Sequence, residues 1–358
     1  MTTNRNEREA MNKKIFNLKE DDAIRVISLF KGVCTDEGIL PLNDIHRATL
    51  AAIGSHIFGT TVEIEGLDPT FSASAHWFTD PDLQHEISHM AAVFPFLDSD
   101  GVRQRSAALA RLAKMWGATD LNIRSAVSFA KGHKALILLD AFRINHSELG
   151  NGLVGQSWGL VKGVLKLDGN KDVLARYESY RELDSHTLGH TLATYYDDNH
   201  FPLPGSVGAA FSNTLTTHDR HHVLSGYDTT PLGEVCVLAF DSAISRSNFG
   251  GAFIGAVAQF QVGYTFDPSV RAWQHQFNPA IVYRAIERGH ACKVNYLDEY
   301  VDLDSLMEYP INEVREHFGI PAEGAMVRGP DDPWCGEMGP VDQRQSPDIV
   351  DEGLIKFN

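Results

Sequence analysis

Cysteine is scarce. The four residues, Cys34, Cys236, Cys292 and Cys335, lie far apart in a chain of 358, and no C-x-x-C pair occurs. That excludes a cysteine-built zinc cluster and a disulfide framework, and it fits a reducing, cytoplasmic compartment. Basic charge is short as well: 31 Lys and Arg against 47 Asp and Glu leave a formal net charge of −16. Such a field repels phosphate backbones and anionic headgroups, so no nucleic acid is expected as a partner. Long apolar runs are few. Residues 1–20 have none of the apolar stretch that a secretory signal requires and read as a disordered arm. The segment Phe249 to Phe266 comes nearest to membrane-spanning length, but Gln259, Gln261 and its glycines argue against a span. Strand-type alternation is nearly absent.

What is present is helical. At 43% hydrophobic and 22% charged residues the chain has the composition of a folding globular protein, and 358 residues exceed one ordinary core. Apolar positions recur at helical spacing: Ile24, Ile27, Leu29 and Phe30, then Ile45, Leu50, Ile53 and Ile57, then Leu109, Leu112 and Met115. Two stretches, Val26 to Ile53 and Met90 to Ala113, share a pattern of helix, acidic-glycine turn and helix. The second turn, Asp98-Ser99-Asp100-Gly101, misses EF-hand spacing, since the glycine comes too early and Leu109 stands where a bidentate Glu belongs; a capping turn is expected. A glycine-rich stretch over 147–171 is the natural boundary. The expectation is therefore an all-α protein: an arm (1–20), a helical domain (21–146), a linker (147–171), a second helical domain (172–322) carrying a divalent-metal site between helices, and an acidic tail (323–358).

The chemistry sits in Thr216 to Phe240, TTHDRHHVLSGYDTTPLGEVCVLAF. His218 and His222 are four apart and share one helical face, and Asp219, three before His222, turns toward the same point. Gly226 ends that helix, while Thr230-Pro231 is a start signal for the next, with Glu234 in its first turn. A short reversal would bring Glu234 back onto the histidines, giving two nitrogens and two carboxylates around one ion. The plainer alternatives are a chance H-x-x-x-H among 16 histidines, acids that only cap helices, and an HD-type phosphohydrolase, for which no further His and Asp pair stands out. His221 is expected to be exposed, about 100° round the helix from His222. His186, His190 and His200 read as polar-face histidines.

His218-Asp219-x-x-His222, eleven residues, then Glu234 is similar to the signature of the coenzyme Q biosynthesis protein 4 family, the ubiquinone-biosynthesis proteins. The continuation VLSGYDTTPLGEV resembles that family's V-L-T-G-x-x-T-x-x-x-G-E-V. Upstream TLGHTLATYYDDNHF (Thr187 to Phe201) and downstream Glu287 to Ile320 resemble its flanking motifs in the same order, so the likeness spans Tyr177 to Pro321. Departures fall at Leu192, Arg220-His221, Leu238 and Asp302-Leu303, and metal binding carries over better than substrate identity. Residues 21–146 resemble a tellurite-resistance TerB-like helical domain.

The resemblance implies zinc, or another divalent metal, on His218, Asp219, His222 and Glu234, with the same residues catalytic. It implies replacement of the ring carboxyl of a prenylated 4-hydroxybenzoate-derived intermediate by oxygen, the work of a metal-dependent lyase or oxidative decarboxylase. The implied partners are a prenylated aromatic acid or isoprenoid lipid, other quinone-biosynthesis enzymes and a second copy of the chain, with peripheral membrane attachment. Phe249, Phe253, Ile254, Val257 and Phe260 are expected either to line a prenyl groove or to pack as core, with Gly250, Gly251 and Gly255 allowing close helix approach. A non-catalytic zinc-stabilised scaffold or lipid carrier is the alternative.

Overall fold

The computed structural model describes residues 13–118, 123–124, 127, 169–207, 209–245, 251–264, 272–297 and 301–326. These hold twelve α-helices, five short 3-10 turns and, among the described residues, no strand beyond two isolated bridges, Thr187 to Pro310 and Val262 to Gln274. The all-α expectation is met. No helix among them is long and apolar enough to cross a membrane.

The first set comprises α1 (Glu20–Thr35), α2 (Asp44–Ile57), the single turn α3 (Phe71–Ser74), α4 (Pro81–Ala91) and α5 (Val102–Met115). Helix α1 opens on Glu20, Asp21 and Asp22, which suit the positive end of its dipole, and buries Val26, Ile27, Leu29, Phe30 and Val33. The second set comprises α6 (Lys171–Ser179), α7 (Leu188–Asp198), α8 (Ala210–Ser225), α9 (Pro231–Ile244), α10 (Gly251–Gln261), α11 (Pro279–Ala291) and α12 (Ile311–Phe318). Several starts use one grammar. Asp80 before Pro81, Thr230 before Pro231 and Asn278 before Pro279 each accept a backbone N–H of the first turn. Helix α9 buries Val235, Cys236, Val237, Ala239, Phe240, Ala243 and Ile244, with Asp241 and Ser242 buried among them, and a helix covered on most of its faces belongs in the middle of a core. Accordingly α8, α10 and α11 all pack on it, and α11 carries the contact onward to α2. At the α9–α11 crossing a Cβ on Gly289 would lie 2.2 Å from the Phe240 carbonyl oxygen.

The two helical sets share one hydrophobic core, running from Ile15 and Val26 through Phe240 and Ile286 to Ile320. The Gln261 side-chain amide donates to the Leu97 carbonyl at 2.9 Å, tying α10 to the first set. The arm expected over 1–20 gives way at Lys13. Ile15 is wholly buried, Phe16 stacks on the His290 ring at 3.8 Å, and the Lys13 ammonium donates to the Ser242 carbonyl at 2.6 Å. Those anchors are too few to show as a period in the sequence. Residues 1–12, most of the 147–171 linker and residues 327–358 lie outside the described residues.

The acidic turn before α5 does not cap that helix through a side chain, contrary to the expectation from the sequence: Gly101 stands at the helix start with no side-chain bond, and Asp98 ties the turn together instead. Asp98 accepts from Asn43 at 2.6 Å, from the Asp100 N–H at 3.1 Å and from Arg105 at 3.4 Å. Its oxygens join α5 to the start of α2.

Candidate metal centre

Helix α8 carries His218, Asp219 and His222 and ends at Gly226, whose φ of 77° suits glycine. The chain then reverses within four residues. Asp228 accepts from the Thr230 N–H at 3.0 Å and from its hydroxyl at 2.5 Å, and Thr230 accepts from the Gly233 N–H at 3.1 Å. At Gly233 a Cβ would lie 2.2 Å from both the carbonyl and a carboxylate oxygen of Asp228, so only glycine permits this return. Glu234 then faces α8, as the spacing predicts.

His218 Nε2 lies 3.1 Å from Glu234 Oε2, His222 Nε2 lies 3.4 Å from Glu234 Oε1, and the two Nε2 atoms are 3.0 Å apart. Ligand atoms of these three residues all fall within 4.8 Å of one another. His222 Nδ1 donates to the Tyr227 carbonyl at 3.0 Å, which fixes the tautomer and leaves Nε2 aimed at the cluster. Two imidazole lone pairs and a carboxylate so placed repel unless a proton or a cation sits among them. The titration reflects this. Burial works to lower the His222 pKa, yet the Glu234 charge and hydrogen bond outweigh it and raise it to about 9. Burial works to raise that of Glu234, and the His222 charge with bonds from both histidines overrides it and holds the carboxyl well below its usual range. The side chain of His222 is wholly buried, while those of His218 and Glu234 keep 19% and 24% of their surface, so the cluster opens on one side.

Asp219, the fourth expected ligand, lies outside this trio. Its carboxylate is buried and accepts from the Tyr196 hydroxyl at 2.6 Å and the Tyr195 hydroxyl at 3.1 Å. Burial raises its pKa against the pull of both tyrosines and both histidines. The tyrosines come from α7, where Thr187 caps the first turn and the Leu188 and Gly189 N–H groups donate to the Tyr309 and Met307 carbonyls. Asn199, after α7, donates to the Tyr195 carbonyl and accepts from Thr229, which pins α7 to the reversal.

His221 is 7% exposed, and the expectation of a solvent-facing ring is corrected. Its Nδ1 lies 2.8 Å from Asp241 of α9, whose other oxygen accepts from Tyr296 at 3.3 Å. A carboxylate two turns beyond Glu234 therefore gives the histidine a buried partner. Arg220 turns away to Tyr177 and Asp304. His186 and His200 are exposed and His190 is half-buried; none belongs to the trio. Phe253, Ile254, Val257 and Phe260 are all buried in the common core, where their apolar surface packs α10, and Phe249 and Gly250 lie outside the described residues. Among the described residues nothing lies within 4 Å of a Cβ placed on Gly255, so it serves no close helix contact there.

Two residues went unread in the sequence. Arg315 donates to the Val223 and Leu224 carbonyls at 2.7 and 3.0 Å, and Arg288 donates to the Ser225 carbonyl at 2.9 Å. Together they satisfy the last carbonyls of α8 and oppose the negative end of its dipole. The only trace in the sequence is their placement on α11 and α12, far from the helix end they serve. No protein-family model matches the chain, and neither a curated protein nor a solved structure does so.

Proposed function

We propose that the chain binds one divalent ion, zinc, at His218, His222 and Glu234, and acts as a metal-dependent ubiquinone-biosynthesis-type protein on a prenylated 4-hydroxybenzoate-derived ring. The observation that carries this is the convergence of two imidazole nitrogens and a carboxylate, open to solvent on one side, from two helices joined by the predicted reversal. The donor set suits the ion: imidazole nitrogens and a carboxylate oxygen are ordinary zinc ligands. A divalent ion held there draws off negative charge from a carboxylate or phenolate oxygen. The chain's own part is to fix the His222 ring through the Tyr227 carbonyl and the end of α8 through Arg288 and Arg315, and to shelter one side of the site from water. The electron acceptor for oxidative decarboxylation must come from elsewhere. Substrate class, lyase activity and peripheral membrane attachment rest on the motif resemblance, as does the TerB-like reading of 21–146.

The test is elemental analysis of the purified chain followed by turnover of a prenylated 4-hydroxybenzoate. About one equivalent of zinc is expected. Glu234→Gln keeps the size of the side chain and removes its charge, and is expected to cost two or more powers of ten in rate. A metal-loaded but inactive native protein would favour the scaffold or lipid-carrier reading.

A further inference from the structure

Asp219 is adjacent to one metal-type ligand and three residues from another, yet its oxygens point elsewhere. Both are taken by phenol hydroxyls, Tyr196 at 2.6 Å and Tyr195 at 3.1 Å. Each hydroxyl donates its proton to one carboxylate oxygen. The Tyr195 ring also lies near-parallel to that of His222, 6.0 Å between centroids and 23° between planes. The same side chain thus touches a ligand ring with its face and holds Asp219 with its hydroxyl. Freeing the carboxylate to reach the trio would break two buried charge-assisted hydrogen bonds. Coordination number separates zinc sites by use: four protein ligands close a structural site, whereas two histidines and one glutamate leave a position for water or substrate.

We infer that Tyr195 and Tyr196 hold Asp219 out of the coordination shell, so that an ion on His218, His222 and Glu234 keeps a position for a small oxygen anion, a carboxylate or a phenolate. This rests on the metal reading above. Asp219 is then a positioning residue. Its charge favours a cation at the trio, and its fixed place keeps the fourth position clear.

The experiment uses the full chain loaded with cobalt(II), whose visible bands report coordination number, with formate as the anion probe. Asp219→Asn should bind one equivalent at saturation, keep the native cobalt bands and lose affinity by about 10–100-fold, the range for an outer partner. A double variant, Tyr195→Phe with Tyr196→Phe, releases the carboxylate. It should hold cobalt more tightly than the native chain, show shifted bands, and respond to formate at least about tenfold more weakly. Altered bands or lost stoichiometry in Asp219→Asn would overturn the inference, as would a native formate response in the double variant. Should the double variant not fold, the Asp219→Asn bands decide alone. A native chain that takes up neither cobalt nor zinc removes the metal reading itself, before any variant is compared.

Discussion

His46 and His222 are both wholly buried helix residues, one in each helical set. They differ in what surrounds them. His46 meets the Phe94 carbonyl at 3.1 Å and the Asn43 side chain, and burial with the nearby Arg105 charge drives its pKa down to about 4. His222 meets Glu234, and despite equal burial its pKa rises to about 9. The lesson is that burial does not make a histidine a site. A countercharge does, and with it comes a second histidine nitrogen 3.0 Å away that only a proton or a cation can reconcile.

The widest separation between the two should come from deletion. His222→Ala is expected to lose metal affinity by more than about a hundredfold, beyond what an outer partner costs, as read by elemental analysis after dialysis. His46→Leu is expected to keep full metal content and to lose about 1–3 kcal/mol of stability, because the buried Phe94 carbonyl loses its imidazole partner and keeps only the 3.3 Å bond from the Leu97 N–H. Metal loss in both, or in neither, would erase the distinction.

pH should separate them next, through opposite signs in the metal-free protein. Between about 4 and 6.5 the unfolded chain binds a proton that folded His46 refuses, so its contribution is complete above 6.5 and is lost as pH falls toward 4. Between 6.5 and about 9 folded His222 holds a proton that the unfolded chain releases, so its contribution is complete below 6.5 and is lost as pH rises through 9. Each amplitude is on the order of 3 kcal/mol. Urea midpoints of His46→Leu and of His222→Ala, compared with the native protein across this range, check both slopes.

The smallest effect concerns the halves themselves. Protease is expected to cut first in the glycine-rich 147–171 stretch, and the nicked chain should still elute at its intact size, because α2 and α11 pack together in one core. Separation of the fragments without denaturant would show two independent cores.

Much of the second set was legible beforehand. The i, i+4 histidines, the glycine stop, the Thr-Pro start and the return of Glu234 are local grammar, and each has its counterpart in cap geometry at Gly226 and Thr230. What escaped was tertiary. Asp219 looks like a ligand on a helical wheel, and its tyrosines arrive from 23 and 24 residues upstream. His221 looks exposed on the same wheel until Asp241 is placed beside it. The α10 phenylalanines read equally as groove or core, since periodicity reports an apolar face and says nothing of what covers it. The glycine-rich stretch also spells Gly150-x-Gly152-x-x-Gly155, a pattern that signals dinucleotide binding only between a strand and a helix. It lies outside the described residues.

The Lys13 contact has a bearing on how the molecule is made. The ammonium and the Ser242 carbonyl that receives it are 229 positions apart, and Phe16 waits still longer for His290. On the ribosome the first residues of this core emerge long before the surface that covers them. For that interval Ile15 and Phe16 are exposed apolar groups beside an unfinished helical set, open to chaperones and to other nascent chains. A bulky fusion placed immediately before Lys13 would be expected to lower the yield of folded protein more than one at the far end, although neither touches the histidines.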